Sequence, residues 1–283
     1  MTIINNSLAY SADTLVYNNE CELLWPDYID PYNPLNLPAN TVRVRTNDGL
    51  VPYKSSITTY ETAILVEVTS DVYDVYKSGT DFTFLLIDSS NIVEVLGANT
   101  TGITNMTGMF NFCTSLETVA LFDTSSVTDM HTMFNQCTSL TSVPLFDTSS
   151  VTNMQFMFYN CSSLTTVPLF NTSSVTNMQD MFDSCNSLTS VPLFDTSSVT
   201  NMDVMFRNCA SLTSVPLFNT SSVVSMRGMF EDCKNVQSGA LALYQQASTQ
   251  TNPPSKHTGA FRNCGVNTTT GAAELAQIPD DWK

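Results

Sequence analysis

Residues 151–174 read VTNMQFMFYNCSSLTTVPLFNTSS, and near-copies of this stretch begin at Val127, Val175, Val199 and Val223, with an earlier one at Ile103. Six cysteines (Cys113, Cys137, Cys161, Cys185, Cys209 and Cys233) keep the same 24-residue spacing, and the other positions of the unit hold the register with them. A period in this range marks an architecture in which one short supersecondary unit stacks on the next, because no unit can bury its apolar face alone. Chance does not align six such units.

Within the unit, Val151, Met154, Met157, Phe158 and Cys161 fall at i, i+3, i+6, i+7 and i+10, the spacing of one stripe on a helix. Ser and Thr just ahead of Val151 offer N-cap oxygens. Leu164, Val167 and Leu169 follow in the pattern of a short strand with all three side chains inward. The expected fold is an α/β solenoid: a leucine-rich-repeat-like right-handed array of short strand plus short helix, with a small antiparallel β N-terminal region and a C-terminal cap. Strands stack at about 4.8 Å and helices at roughly 8–10 Å, so the array should bend toward its strand side. Pro144, Pro168, Pro192 and Pro216 lie inside the expected strand and remove ladder donors, so its paired stretch should be very short.

The MFxxCxSLTxVPLF pattern followed by DTSSVTNM resembles the BspA-like leucine-rich repeats found in surface proteins of oral and gut bacteria, in mycoplasma-type lipoproteins and in some phage-encoded proteins. Met157, Phe158, Cys161, Leu164, Val167, Phe170 and the TSSVTNM run at 172–178 carry the resemblance, which covers about Asn91 to Cys233, half the chain. It implies adhesion or recognition and no enzymatic role.

The flanks read differently. NIVEVLGANTTG (Asn91–Gly102) matches the back half of a unit, so the array is expected over residues 91–233. Residues 1–40, with Trp25-Pro26-Asp27-Tyr28 and then Pro31, Pro34 and Pro38, read as an extended N-terminal arm. Residues 41–90 read as a small antiparallel sheet of TVRVRT, AILVEV, VYDVYKS and FTFLLID. It would serve either as a cap over the first unit or as an anchor to a larger assembly. After Cys233 the period breaks at GALALYQQAS, and Phe261-Arg262-Asn263-Cys264 restores the F-x-x-C element, so 234–283 read as a degenerate last repeat and C-terminal cap.

Composition narrows the function. The 283 residues carry a net charge of −16, with only 13% charged residues and no Lys or Arg between Lys77 and Arg207. Such a surface repels phosphate backbones and anionic membranes, so neither nucleic acid nor membrane insertion is expected. The start, MTIINNSLAYSADTLVY, lacks a basic n-region and an apolar h-region, so no signal peptide is expected. That favours a virion or another cytoplasm-assembled particle, with the cell surface as the alternative if a leader is missing.

No residue pattern calls for catalysis, a cofactor or a metal. The two histidines, His131 and His257, sit in no motif and read as solvated surface residues. The cysteine column lacks the paired or converging ligands of a zinc site, and its parallel side chains suit disulfides poorly, so buried reduced thiols are expected. Phe122, Phe146, Phe170, Phe194 and Phe218 form a second column, either stacked in the core or exposed for carbohydrate. Asp123, Asp147, Asn171, Asp195 and Asn219, each followed by Thr-Ser-Ser, read as Asx-type turns rather than calcium ligands.

The expected strand face is nearly uniform, whereas the expected helix face varies between units. A unique partner needs a unique surface, so the expected partner-binding residues are Phe156, Tyr159, Arg207, Asp180 and Asp183, facing a protein or a surface glycan. The expected function is a non-enzymatic recognition or structural protein, a phage virion surface component or host-attachment module. A BspA-type bacterial cell-surface adhesin is the alternative, and ice binding by Thr ladders a remote one.

Overall fold

The computed structural model describes residues 2–4, 35, 37–50 and 63–283, so the expected arm at 1–40 lies almost wholly outside it. Its strands are β1 (Thr2–Ile4), β2 (Thr41–Thr46), β3 (Ala63–Thr69), β4 (Val72–Lys77), β5 (Ile92–Asn99) and β6 (Thr118–Val119). Two helices follow, α1 (Ala240–Thr249) and α2 (Thr269–Leu275), and then a 3₁₀ turn at Asp280–Trp282.

The strands form one sheet in the order β1-β3-β4-β2-β5-β6. β2 lies antiparallel between β4 and β5, β3 and β4 form a hairpin, and β1 and β6 add parallel strands to β3 and β5. Alternation in TVRVRT explains β2: Val42 and Val44 are buried, while Arg43 reaches Asp74 of β4 with two hydrogen bonds of 2.6 and 2.8 Å. Arg45 pairs with Glu94 of β5 at 2.7 Å. Strand β5 joins two architectures, since one edge is antiparallel to β2 and the other begins a parallel series.

That series is the 24-residue repeat. A parallel bridge joins Asp81 to Asn105, and others continue through Asp129, Asn153, Asn177 and Asn201 to Ser225 and Lys256. The register therefore starts earlier than Asn91. FTFLLID is not a fourth strand of the sheet, because Phe82, Phe84 and Leu86 donate their N–H groups to Asn105, Thr107 and Met109 as the first turn of the repeat series.

The expected short helix is absent from the units. In residues 151–174, the N–H groups of Met154, Phe156, Phe158 and Asn160 donate to carbonyls of the next unit (Asn177, Gln179, Met181 and Asp183) at 2.7 to 3.1 Å. The residues between them, Met157, Tyr159 and Cys161, close tight i→i−3 turns. Phe156 and Asn160 make this alternation possible by adopting left-handed φ values of 57° and 55°, and the equivalent pairs Thr132/Gln136, Asp180/Ser184 and Val204/Asn208 do the same. A helix would spend those N–H groups inside the unit; here they bind one unit to the next. Among the described residues the α-helices are α1 and α2, both beyond the repeats.

The expected strand is also corrected. Among the described residues, this position of the unit forms a strand only in the first units, as β5 and β6, and Leu169 points outward with 60% exposure. Phe170 turns inward in its place, because its N–H bonds the Pro168 carbonyl at 3.0 Å and closes a three-residue turn about Leu169. Pro144, Pro192 and Pro216 accept the same bond from Phe146, Phe194 and Phe218.

The core is a set of columns. Phe110, Phe134, Phe158, Phe182, Phe206, Phe230 and Phe261 stack with ring centroids 5.1 to 6.1 Å apart. The second phenylalanine column is buried beside it, with Phe170, Phe194 and Phe218 repeating at 6.4 and 6.5 Å. The six column cysteines are free and buried, and each Sγ donates to a phenylalanine or leucine carbonyl of the preceding unit at 2.9 to 3.2 Å. Burial pushes these thiols well up from the ordinary cysteine value. Cys264 is also free and buried, and Cys21 lies outside the described residues.

At the C-terminal end the stack is covered. Residues 256–265 form a last turn after α1, and Trp282 closes over it, 5% exposed. His257 stacks on the Trp282 ring at 4.1 Å, so this histidine is part of the cap and not a solvated loop residue.

Candidate binding surfaces

The variable positions of the units lie along the run of turns. Phe156 and Tyr159 are both half-buried, and their rings meet edge-on at 5.7 Å. His131 of the preceding unit meets Phe156 at 5.9 Å, while its Nδ1 lies 2.9 Å from the Gln155 carbonyl oxygen. Three rings from two units thus form one partly exposed cluster, and His131 is integrated into it.

Asp180 and Asp183 do not belong to the outer surface. Both are buried, Asp183 completely. The Arg207 guanidinium lies over Asp183 and donates a hydrogen bond to it, with its own side chain about one-third exposed. Gln179 donates to Asp180 at 2.9 Å. Burial raises Asp180 to about 6, against the Gln179 hydrogen bond; the charges of Asp183 and Asp203 add to the rise and Arg207 opposes it. One unit further, Asp203 receives Arg227 through two bonds of 3.0 and 2.6 Å and the Ser225 hydroxyl as well. For Asp203, burial favours the neutral form, but the Arg227 and Ser225 bonds outweigh it and the carboxyl stays below its ordinary value. Asp183 and Asp203 hold Arg207 and Arg227 in place along the array. Of the five expected contact residues, Phe156, Tyr159 and Arg207 remain accessible.

A second surface was not expected. Leu145, Leu169, Leu193 and Leu217 occupy the same position in four consecutive units and are 59, 60, 61 and 53% exposed. The Pro-Leu-Phe turn puts each of them outward while burying the phenylalanine that follows. Single exposed leucines are ordinary; here the same outward leucine recurs in four successive units. The residue two positions on is the Asx column: Asp147 and Asp195 are exposed, and their carboxylates accept from the N–H and hydroxyl of Ser149 and Ser197. Those bonds hold both carboxyls below the usual range.

Four positions before the leucines come the exposed Thr141, Thr165, Thr189 and Thr213. Each hydroxyl donates to the carbonyl of the residue one unit earlier, at 3.2 to 3.5 Å. Their hydroxyl donors are thus turned to the backbone. The sequence signal for this row is the Pro-Leu-Phe triplet itself, in which a proline that cannot pair precedes two bulky apolar residues competing for one inward position. Among the described residues, no helix is long and apolar enough to cross a membrane, and no group of three or more His, Cys, Asp or Glu side chains converges as a metal site.

Comparison with known proteins adds a family. No curated protein matches the chain. A solved leucine-rich repeat protein from Eubacterium ventriosum is similar at 22% identity and a TM-score of 0.35, over 66% of this chain and 43% of that protein, so the chain spans less than half its length. The model of a repeat family described as Mycoplasma protein of unknown function, DUF285, matches residues 80–190 and again 165–251. The first match begins where the parallel bridges begin, at Asp81, and together the two span more than half of the chain. The chain belongs to the DUF285 family.

Proposed function

We propose that this chain is a non-enzymatic binding protein of the adhesin type, a solenoid of 24-residue turns that holds a protein partner on its outward leucine column. The observation that carries the reading is the exposure of Leu145, Leu169, Leu193 and Leu217 in four successive units. Each leucine buried by a partner contributes about 1.5–3 kcal/mol, so the row supplies binding energy without any single anchor. The repeat family supports the class of function. The virion surface role expected from the N-terminal residues finds no support in that family.

The ring cluster of His131, Phe156 and Tyr159 favours a second reading, in which a protein or glycan is bound on the variable face, since aromatic residues are enriched among binding hot spots. One experiment separates the two. A random peptide library is displayed on phage and selected on the immobilised full chain. Enriched peptides should lose at least about tenfold in affinity, or roughly 1.4 kcal/mol, on Leu169→Asn with Leu193→Asn, and keep it on Phe156→Ala with Tyr159→Ala. The opposite dependence moves the site to the ring cluster. Failure to enrich any sequence contradicts a peptide-binding face altogether.

A further inference from the structure

The variable face of the array divides along its length. Of the sixteen phenylalanines, all but Phe84, Phe112 and Phe156 are buried. Those three stand within the first four turns of the series, at corners with left-handed φ values of 53°, 63° and 57°. The Phe84 ring occupies the space that a side chain at Gly108 would need, so it leans over the next turn toward Thr132 and Phe156. From Asp180 onward the same face is ionic: Asp183, Asp203 and Glu231 hold Arg207, Arg227 and Arg262. In the three units before it, the equivalent positions carry no formal charge; they hold Thr107, Gly108, Asn111 and Phe112, then His131 and its neighbours, then Gln155 to Asn160. Asp129, the acid beside them, accepts the backbone N–H of His131 at 2.8 Å.

The aromatic half also has hydrogen-bonding capacity to spare. His131 Nδ1 lies 2.9 Å from the Gln155 carbonyl oxygen, so in the neutral ring Nδ1 carries the proton and Nε2 is left as an acceptor. The Tyr159 hydroxyl makes no hydrogen bond among the described residues. Asn135 and Asn111, one and two units before Tyr159 in its column, each have a buried side-chain oxygen with no donor, and Asn111 is 8% exposed. Amides stacked one unit apart can pair in this array, as Asn160 does with Gln136 at 2.7 Å, yet these two do not. The soft χ2 of asparagine lets each amide turn toward a hydroxyl placed over it.

Aromatic rings with unspent polar groups among them suit a ligand that is apolar on its ring faces and hydroxylated at its edge. With no Lys or Arg between Lys77 and Arg207 and a net charge of −16, the face repels an acidic ligand. Gly108 and Phe156 stand two units apart, and the core rings of those units, Phe110, Phe134 and Phe158, repeat at 5.4 and 5.6 Å. Backbone bonds of 2.8 and 3.0 Å join the units at this same corner, from Gly108 to His131 and from Thr132 to Gln155, so the rings span more than one sugar. We propose that the aromatic half of the variable face binds a neutral oligosaccharide, with sugar rings on Phe84, Phe156 and Tyr159 and hydroxyls at His131, Tyr159 and Asn135. This rests on the ring-cluster reading above, names its ligand and needs nothing of the leucine column.

The test probes a printed array of neutral and acidic oligosaccharides with the labelled full chain, and the best-bound sugars are measured again in solution by saturation-transfer NMR. Neutral oligosaccharides should bind and their sialylated, sulfated or uronate counterparts should not. Affinity should change little between low and moderate salt. Phe156→Ala with Tyr159→Ala should weaken binding at least about tenfold, and Phe84→Ala should weaken it less. Phe156→Trp, which keeps a stacking surface, should retain binding. Leu169→Asn with Leu193→Asn should leave it unchanged. Circular dichroism checks that the variants fold.

If the wild-type chain binds no neutral oligosaccharide, the proposal is overturned whatever the variants do. Binding confined to acidic sugars overturns it, and so does sugar binding that folded Phe156→Ala with Tyr159→Ala leaves intact. Loss on the leucine variant alone moves the sugar to the other face and overturns it as well. If no sugar binds and the selected peptides depend on Phe156 and Tyr159, the ring cluster holds a protein; the ligand named here then falls while the ring-cluster reading stands.

Discussion

Asp180 is a carboxylate that the fold buries beside two other acids. Its folded value near 6 stands above the ordinary 3.8, so the folded chain holds an extra proton between those limits. Stability from this site is therefore greatest at low pH and falls as pH rises through that window. Near neutral pH the burial is only partly compensated, because Arg207 is committed to Asp183. Asp180→Asn should raise stability by about 1–2 kcal/mol near neutral pH, with the gain vanishing below about pH 4. Urea unfolding across that range checks both the sign and the pH dependence, and a loss of stability near neutrality contradicts it. The sequence placed Asp180 and Asp183 on a surface because they vary between units. Variation here tracks pairing instead: where Asp183 appears, Arg207 stands at the same position one unit later.

At the scale of the unit, the inward residues were legible and the backbone was not. Val151, Met154, Met157, Phe158 and Cys161 are all buried, as a helix stripe would make them. A run of turns with left-handed residues at Phe156 and Asn160 presents the same set inward, so apolar spacing alone does not separate the two. The distinguishing trace is glycine at that left-handed corner in other units, Gly108, Gly228 and Gly259. Val204 holds the same corner at φ 51° with a β-branched side chain. Left-handed backbone costs a non-glycine residue about 1–2 kcal/mol, against roughly 0.5–1 kcal/mol for the added freedom of glycine in the unfolded chain. Val204→Gly should therefore leave the protein as stable or up to about 1 kcal/mol more stable, whereas Val204→Ala, which keeps the strain and loses methyl contacts, should not gain. Thermal unfolding of both variants decides it, and a clear loss for glycine with a gain for alanine would rule out the left-handed corner. Leu169 was misread for a related reason. Strand alternation from Leu164 and Val167 puts it inward, but the bond from Phe170 to the Pro168 carbonyl reverses the last step.

Among the described residues, similar 24-residue units bridge in parallel from Asp81 onward, with a sheet at one end and two helices at the other. The period, the buried cysteine column and the three N-terminal strands β2, β3 and β4 were legible, because repetition and alternation report on packing directly, whereas the sequence left the Phe122–Phe218 column open between core and surface and the structure buries it. The beginning of the stack was not, since Phe82, Leu85 and Leu86 stand where later units have Met106, Met109 and Phe110, and only the bridge from Asp81 to Asn105 reveals the equivalence. The account depends on which face of each turn points out: cysteine inward and the leucine after the proline outward. The direct test is native thiol labelling of Leu169→Cys against the wild-type chain. The introduced thiol should react at the rate of a free exposed cysteine, while Cys161 and Cys185 react only after denaturation. Protection of the introduced thiol, or labelling of Cys161 in the native protein, would contradict the account.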